Sequence, residues 1–320
     1  MNQLKKLISR YTAGWLALIL LLAAAIWFAN VSKPGSEPVV CFEACSRSNA
    51  SPKPGQTVSI KVLSLNVLHG YPDFTHLEKR MRLLSQEIGR LNADIVLLQE
   101  VPWTNEHGQT AQLLAAQNDL NAVYLRANGN RAQIGFEEGV AILSRYPMQN
   151  LNFTELEPSA GFFENRVALH ATAVTPLGNI DLFVTHLTDG DAAVNAAQTE
   201  SLLAFVRRTA AFPAIVAGDF NAVEDSPQIL LLTGEWQDSF RLAHPDDPGK
   251  SCCLPDLAHA SAQDFHRRVD YLFTVPGASQ IIQTLAIQQI FNEPLATANG
   301  RLWVSDHAGL LATITIEPAP

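Results

Sequence analysis

The chain has 320 residues, 47% of them apolar and 17% charged, which is ordinary for a globular protein and leaves material for a sizeable core. Its formal net charge is -9; because Lys5, Lys6 and Arg10 precede every acidic residue, the part from Ser32 onward carries 19 basic against 31 acidic groups, a net of -12. Non-specific nucleic-acid binding is driven by Lys and Arg displacing counterions from phosphates, so this field weighs against an enzyme that tracks duplex DNA.

The first element is WLALILLLAAAIWFANV, Trp15 to Val31, a run without charge that extends back to Tyr11. A membrane span needs roughly 20 apolar residues. Three basic residues precede the run and only Lys33 follows closely, so the positive-inside rule puts the N-terminus in the cytoplasm and the remainder across the membrane. Residues 1–31 are therefore expected to be a single-pass signal anchor, with the rest of the chain periplasmic or extracellular. A cleaved signal, cut at Ala23-Ala24-Ala25 to release a secreted form, is the alternative. It would leave Ile26, Trp27 and Phe28 exposed at a new N-terminus, and the anchor is favoured for that reason.

Residues 32–56 are polar and broken by Pro34, Gly35, Pro38, Pro52, Pro54 and Gly55, the composition of a flexible tether. Cys41 and Cys45 lie in it, while Cys252 and Cys253 are adjacent far downstream, a count that suits an oxidising compartment. No histidine stands near either pair at zinc-finger spacing. Adjacent Cα atoms are about 3.8 Å apart, short of the usual disulfide range, so pairing between the two segments is expected to be the less strained arrangement.

The folded domain is expected over 57–320, with no internal repeat. Val58 to Val67 reads as a strand ending at Asn66, and Leu77, Met81, Leu84, Ile88 and Leu91 recur at helical spacing. Short apolar strands follow at 94–100, 140–143, 167–174, 180–185 and 214–217, with a helix over 192–208 burying Val194, Leu202, Phe205 and Val206. Late strands fall at 269–275 and 309–316. Strands interleaved with helices predict an α/β layered domain with a pair of mixed sheets.

Four of these runs end alike: VLSLN at Asn66, IVLLQE at Glu100, LFVTH at His186, and AIVAGDFN at Asp219 and Asn221. Buried strands deliver their last residues to one sheet rim, where metal-binding and proton-handling groups can gather. A single such residue is more simply a turn former. All of them together, joined by Asp270 and the pair Asp306-His307, point to a site. Hydrolysing a phosphate ester needs a hard cation to polarise the phosphoryl oxygen, a base for water, and donors for the charged transition state. One Glu with an Asn and a nearby Asp suits Mg²⁺, with Mn²⁺ as a substitute. A carboxylate paired with a histidine fixes its tautomer and keeps it protonated to hold phosphate.

The strings SLNVLHG, DIVLLQEV, EEGVAILSRYP, FVTHL, VAGDFNAVEDSP, RVDYLF and VSDHAGLL resemble, in order, the motifs of the endonuclease/exonuclease/phosphatase superfamily. The resemblance implies a deoxyribonuclease-I-like, four-layer α/β/β/α sandwich of two packed mixed sheets. By position, Glu100 resembles the principal metal ligand, Asn66 its companion at metal or phosphate, and Asp306 the residue next to the metal. Asp219 resembles the residue that orients or deprotonates water, with Asn221 supporting it and the phosphate. His307 resembles the phosphate-contacting histidine, and Asp270 the carboxylate that orients it. His186 resembles the second catalytic histidine of the phosphodiesterase branches, with Glu138 in the place of its acidic partner. Arg166 falls where some members bind phosphate. His69 reads as a turn histidine; His170, His244, His259 and His266 read as structural or surface residues.

Superfamily chemistry serves DNA cleavage, lipid and inositol-phosphate hydrolysis and mRNA deadenylation alike, so the substrate must come from elsewhere. An address outside the cytoplasm argues against chromosomal repair and mRNA. His186 favours a phosphodiester. Acidity and tethering favour a phospholipid or small phosphodiester over extracellular DNA or RNA, and a non-catalytic binding protein would have lost some of these residues. Nucleic acid is a disfavoured partner, the membrane is met through the N-terminal helix, and no protein partner can be inferred.

Overall fold

Apolar runs too short for helices pair into sheets, because extended backbone must find partners for its N–H and C=O groups on a neighbouring strand. The computed structural model describes residues 2–41, 59–298 and 300–318, with backbone alone for 2–11 and 13. The chain opens with α1 (Asn2–Val31) and β1 (Val39–Cys41). Then come β2 (Ile60–Asn66), α2 (Leu77–Leu91), β3 (Ile95–Thr104), the short β4 (Gly108–Gln109), α3 (Thr110–Asn118), β5 (Asn121–Gly129), α4 (Arg131–Ile134) and β6 (Phe136–Ser144). The second half runs β7 (Met148–Leu156), β8 (Arg166–Thr175), β9 (Gly178–His186), α5 (Ala192–Thr209), β10 (Ala214–Asp219), α6 (Pro227–Thr233), β11 (Gln237–Asp238) and α7 (Ser239–Ala243). It ends with β12 (Asp270–Val275), β13 (Gln280–Ile290), the hairpin β14 (Leu295–Thr297) and β15 (Gly300–Leu302), and β16 (Gly309–Pro318).

The first sheet has the order β1-β5-β6-β3-β2-β16-β13, with β4 beside β3; the second has the order β11-β12-β10-β9-β8-β7. Each is mixed, since β2 runs parallel to β3 and β9 parallel to β10 among antiparallel neighbours. Their inner faces meet through Val62, Leu97 and Ile142 on one side and Leu169, Leu182 and Ile215 on the other. The alternate residues Leu63, Leu98 and Leu143 pack outward under Leu84 and Ile88 of α2 and Leu114 of α3. On the far side Phe183, Val216 and Phe273 lie under Leu202, Phe205 and Val206 of α5 and Ile229 of α6. Strands covered on both faces need apolar or small residues at every position, which is why IVLL runs without a polar break and VLSL is interrupted only by the small, buried Ser64. The expected four layers, α/β/β/α, are present.

The expected strands and helices appear within a few residues of their predicted ends, with β3 running on past Glu100 to Thr104. Several elements were not anticipated, and three of them show why. Helix α3 is only nine residues long, β7 is an edge strand with mostly exposed side chains, and β13 interrupts its apolar residues with glutamines. None carries enough periodic burial to stand out in one sequence.

The expectation of a tether throughout 32–56 needs correction. Val31 and Ser32 are buried against the domain, Gly35 N donates to Arg126 O at 2.9 Å, and β1 pairs antiparallel with β5. The outer edge of β5 would otherwise present unpaired N–H and C=O groups; β1 covers part of it. Residues 42–58 lie outside the described residues.

The cysteine expectation is also overturned. Cys252 and Cys253 are joined to each other across a cis peptide, and Cys41 is disulfide-bonded as well. Cys41 is on β1, five strands from β16, roughly 24 Å at about 4.8 Å per strand. The Cys252–Cys253 pair lies beside His307, which immediately precedes β16, so the two cysteine segments are out of mutual reach.

Helix α1 contains an 18-residue stretch, Gly14–Val31, long and apolar enough to cross a membrane. Trp15, Leu20, Ile26 and Phe28 are all exposed along it. A membrane anchor and a signal sequence both have this character.

Candidate active site

Strand register assembles the first part of the rim. Strand β10 lies between β9 and β12, with Asp219 opposite His186 on one side and Asp270 on the other. Three titratable side chains thus stand in a row. The glycine preceding Asp219 is required by close approach, because a Cβ on Gly218 would run into the Thr185 carbonyl of β9. On the first sheet Asn66 ends β2 opposite Gln99. The next residue of β3, Glu100, sits at a register shift between Leu98 and Val101 with φ of 53°. A bulge bends a strand and re-aims a side chain, and a left-handed φ is tolerated at a non-glycine residue chiefly where function holds it. Here it brings Glu100 to Asn66.

Asn66 then ties the sheets together. Its Nδ2 donates to Glu100 Oε1 and to Asp219 Oδ2, each at 3.0 Å, and its Oδ1 accepts from Leu68 N at 3.0 Å. Asp219 Oδ1 accepts from Asn221 N at 2.9 Å. The other oxygen, Oδ2, lies 3.6 Å from His186 Nε2 and 3.7 Å from His307 Nε2. His307 Nδ1 is 2.9 Å from Asp270 Oδ2. The segment carrying His307 is fixed by Ser305, whose Oγ donates to Asn66 O at 2.6 Å and accepts from His307 N at 3.2 Å.

This environment separates three groups by protonation. Burial pushes the Asp219 carboxyl up to about 7, with the positive charge of His307 opposing and the negative charge of Asp270 adding to the rise. Burial alone would lower His307, but Asp270 and Asp219 outweigh it and hold the imidazole well above its ordinary value. His186 goes the other way: burial, then the adjacent Arg166 guanidinium, keep it well below. One base near neutrality, one imidazolium and one neutral imidazole therefore share a space a few ångströms across.

The neighbouring end of the rim is acidic. Burial would raise Glu100, but the charges of His69, His186 and His307 and the Asn66 bond bring it down to about 2. Burial and the Glu100 charge push Asp306 up, His307 opposing. Two carboxyl groups in mutual repulsion are hard oxygen donors that a divalent cation would relieve, so Glu100 and Asp306 fit such an ion; Asn66 turns its Nδ2 to Glu100 and its Oδ1 to Leu68 N, and so braces Glu100 in this arrangement. Asp219, Asp270 and His307 also bring ligand atoms within 4.8 Å of one another. Asp270 Oδ2 is engaged with His307 and Asp219 Oδ2 with Asn66, an arrangement suited to moving protons, while Asp270 Oδ1 is buried without a partner among the described residues.

Asn66, Glu100, His186, Asp219, Asn221, Asp270, Asp306 and His307 thus gather at one rim. Two expectations change in detail. Glu138 is not the partner of His186: its Oε1 accepts from Asn128 Nδ2 at 2.6 Å, while Arg166 Nη1 lies 3.1 Å from His186 Nδ1. A guanidinium only donates, so Nδ1 accepts and the ring proton is on Nε2, facing Asp219. Asn221 Nδ2 donates to Leu187 O at 3.0 Å and stands 3.1 Å from His186 Nε2; with Nε2 protonated both atoms are donors, so Asn221 packs beside that ring without bonding to it. Arg166, also bonded to Glu164 Oε2 at 2.8 Å, stands in the site as expected.

His69, read as a turn residue, belongs to the site as well. Its backbone N donates to Glu100 Oε2 at 3.2 Å and its Nε2 is 3.5 Å from the same oxygen. Its position three residues past Asn66 was the available signal. The other histidines stay apart, His170 against Asp181 at 3.0 Å and His244 Nε2 near Ile287 O at 2.7 Å, while His259 and His266 are exposed.

Residues 63–307 match the Endonuclease/Exonuclease/phosphatase family. Among solved structures, a functionally unknown conserved protein from Enterococcus faecalis V583 is similar at 21% identity and TM-score 0.62, covering 81% of this chain and 100% of that one. A family protein from Leptotrichia buccalis C-1013-b aligns at 18% identity and TM-score 0.59, over 79% of this chain and 98% of its own. Humanized D. rerio TDP2 aligns at 17% identity and TM-score 0.63, over 80% and 99%. These likenesses are of fold. No curated protein matches.

Proposed function

The chain belongs to the endonuclease/exonuclease/phosphatase family, and from that premise we propose that it is a divalent-metal-dependent phosphodiesterase, anchored by α1, that hydrolyses a phospholipid or small phosphodiester outside the cytoplasm. One observation carries the reading: Asp219 Oδ2 stands 3.6 and 3.7 Å from the Nε2 atoms of two histidines held in opposite charge states. A single water or phosphoryl oxygen set beside these three atoms would be within reach of all of them.

In this mechanism Asp219 takes the proton of the attacking water, a task suited to a base near neutrality. His307, kept charged by Asp270, donates through Nε2 to a phosphoryl oxygen as negative charge builds there. His186 donates from Nε2 without competing as a base, because Arg166 occupies its Nδ1. Asn66 holds Asp219 in place relative to Glu100. A divalent cation held by Glu100 and Asp306 beside Asn66 would supply polarisation of the phosphoryl group and stabilise the leaving oxygen.

A second reading, an extracytoplasmic nuclease, is favoured by one observation. Tyr71 is 47% exposed and stacks on Phe136 at 4.5 Å and 13°, close to His69, and such a ring can take a nucleobase. The net charge opposes it. Purified full-length protein, assayed with Mg²⁺, Mn²⁺ or EDTA against bis-p-nitrophenyl phosphate, plasmid DNA and a choline phospholipid panel, separates the two. Metal-dependent cleavage of the diester or lipid with DNA intact is expected. Nicking of plasmid would make it a nuclease, and no turnover of any substrate would refute both.

A further inference from the structure

The last turn of α1 is seated on the catalytic domain at the side where Arg166 and His186 lie. Gln133 Nε2 donates to Trp27 O at 3.3 Å and Asn130 Nδ2 to Asn30 O at 3.2 Å. Asn165 Nδ2 donates to Ser32 O, one residue past the helix. That same Asn165 is bonded through its Nδ2 to Asn128 Oδ1 at 3.0 Å, and Asn128 Nδ2 holds Glu138. Arg166, the next residue, meets His186. Two side chains therefore separate the helix exit from the active-site rim.

The 18 residues of Gly14–Val31 rise roughly 27 Å as a helix, close to the hydrocarbon thickness of about 30 Å. With that stretch in a bilayer, Val31 reaches the outer boundary and Trp27 lies near it, where tryptophan is favoured. The domain surface that buries Val31 and Ser32 then rests at headgroup level.

From this surface one turn projects. Ala160 N donates to Glu164 O at 3.3 Å and Glu164 N to Gly161 O at 3.2 Å. The closed turn carries Phe162 and Phe163 at its tip, 50% and 43% exposed and packed on each other at 5.1 Å. Phe162 is three residues from Asn165, a reach of at most about 10 Å from the residue that bonds the helix exit. Two adjacent exposed phenyl rings are costly in water and suited to the acyl–headgroup boundary.

We propose that the domain lies against the leaflet from which its own helix emerges, with the Phe162–Phe163 turn inserted in that leaflet and the Arg166–His186 side of the site presented to phospholipid headgroups. The phosphodiester cleaved is then that of a lipid in the same membrane. Net acidity of the domain, with Glu155, Glu157 and Glu164 near the turn, favours a zwitterionic over an anionic headgroup. This inference rests on the phosphodiesterase reading and on retention of α1.

The test uses full-length protein in phosphatidylcholine vesicles. An F163W variant is compared with the parent, which has five tryptophans, in lipid brominated near the headgroup end of the acyl chains. F162S/F163S is assayed against vesicle phosphatidylcholine and against soluble bis-p-nitrophenyl phosphate. The added indole is expected to be quenched, and F162S/F163S to lose at least tenfold on vesicle lipid while its soluble-diester turnover stays within twofold. An unquenched added indole, or equal vesicle hydrolysis by F162S/F163S, overturns the proposal. If the parent turns over neither substrate, the catalytic reading fails, yet quenching still decides the docking.

Discussion

Replacing Asp270 by Asn isolates the role of the His307 pair. The side chain is buried, and its Oδ2 meets His307 Nδ1 at 2.9 Å. Asn keeps the shape and an acceptor but removes the charge that, with Asp219, raises His307 against the effect of burial. A hydrogen bond to a charged group contributes about 1.5–3 kcal/mol, equivalent to about 1–2 pKa units at about 1.4 kcal/mol each. The imidazole then loses its proton closer to neutrality, and at a pH above both values kcat should fall roughly 10- to 100-fold. A pH profile of kcat on bis-p-nitrophenyl phosphate should show the alkaline limb displaced downward by a similar 1–2 units. Stability gives an independent sign. A raised histidine stabilises the fold fully below its unfolded value near 6.5 and loses that contribution as pH rises through its folded value. The alkaline loss of stability seen in urea melts should therefore shrink in D270N. A variant with kcat within twofold of wild type and an unmoved alkaline limb would refute the assignment of His307 as the charged phosphate donor.

Other outcomes are equally specific. D219N should lower hydrolysis by about 10²- to 10⁴-fold, the usual contribution of a positioned base, with an unchanged or higher melting temperature, because burial already disfavours that charge; full activity would remove Asp219 from the mechanism. EDTA should abolish turnover, and E100Q should raise the Mg²⁺ needed for half-maximal rate at least tenfold; an unshifted metal titration would place the cation elsewhere. Asp181 accepts from Thr172 Oγ1 at 2.6 Å, Ala211 N at 2.7 Å and Phe212 N at 2.9 Å. Burial opposes its charge, but the His170 contact and these bonds hold the carboxyl below its ordinary value. Its contribution is thus present above about pH 3.9 and lost as pH falls through the folded value. D181N should cost about 2–4 kcal/mol in urea unfolding at pH 7, a difference that narrows near pH 3; equal stabilities at pH 7 would contradict the reasoning.

The sequence by itself determined the layered fold and most of the rim. Runs such as VLSLN and IVAGD are apolar or small up to their last residue because each strand is covered on both faces, and their polar final residues reach the open end of the sheets. The catalytic residue types were legible at that boundary. What the sequence left undecided depends on contacts between distant segments. Glu138 and Arg166 are both buried, and only packing shows that the guanidinium, not the carboxylate, meets the His186 ring. His69 is a turn residue until the bulge at Glu100 swings a carboxylate beneath it. Arg80 lies on the helical face of Leu77 and Leu84, and tertiary structure buries it completely, its guanidinium donating to the carbonyls of Val67, Leu68, Thr75 and Val304. Strand β1 had no pattern of its own and exists because β5 offers an edge. Burial period is a property of each strand alone and can be read locally; which donor meets which acceptor is fixed only when the two sheets close on each other.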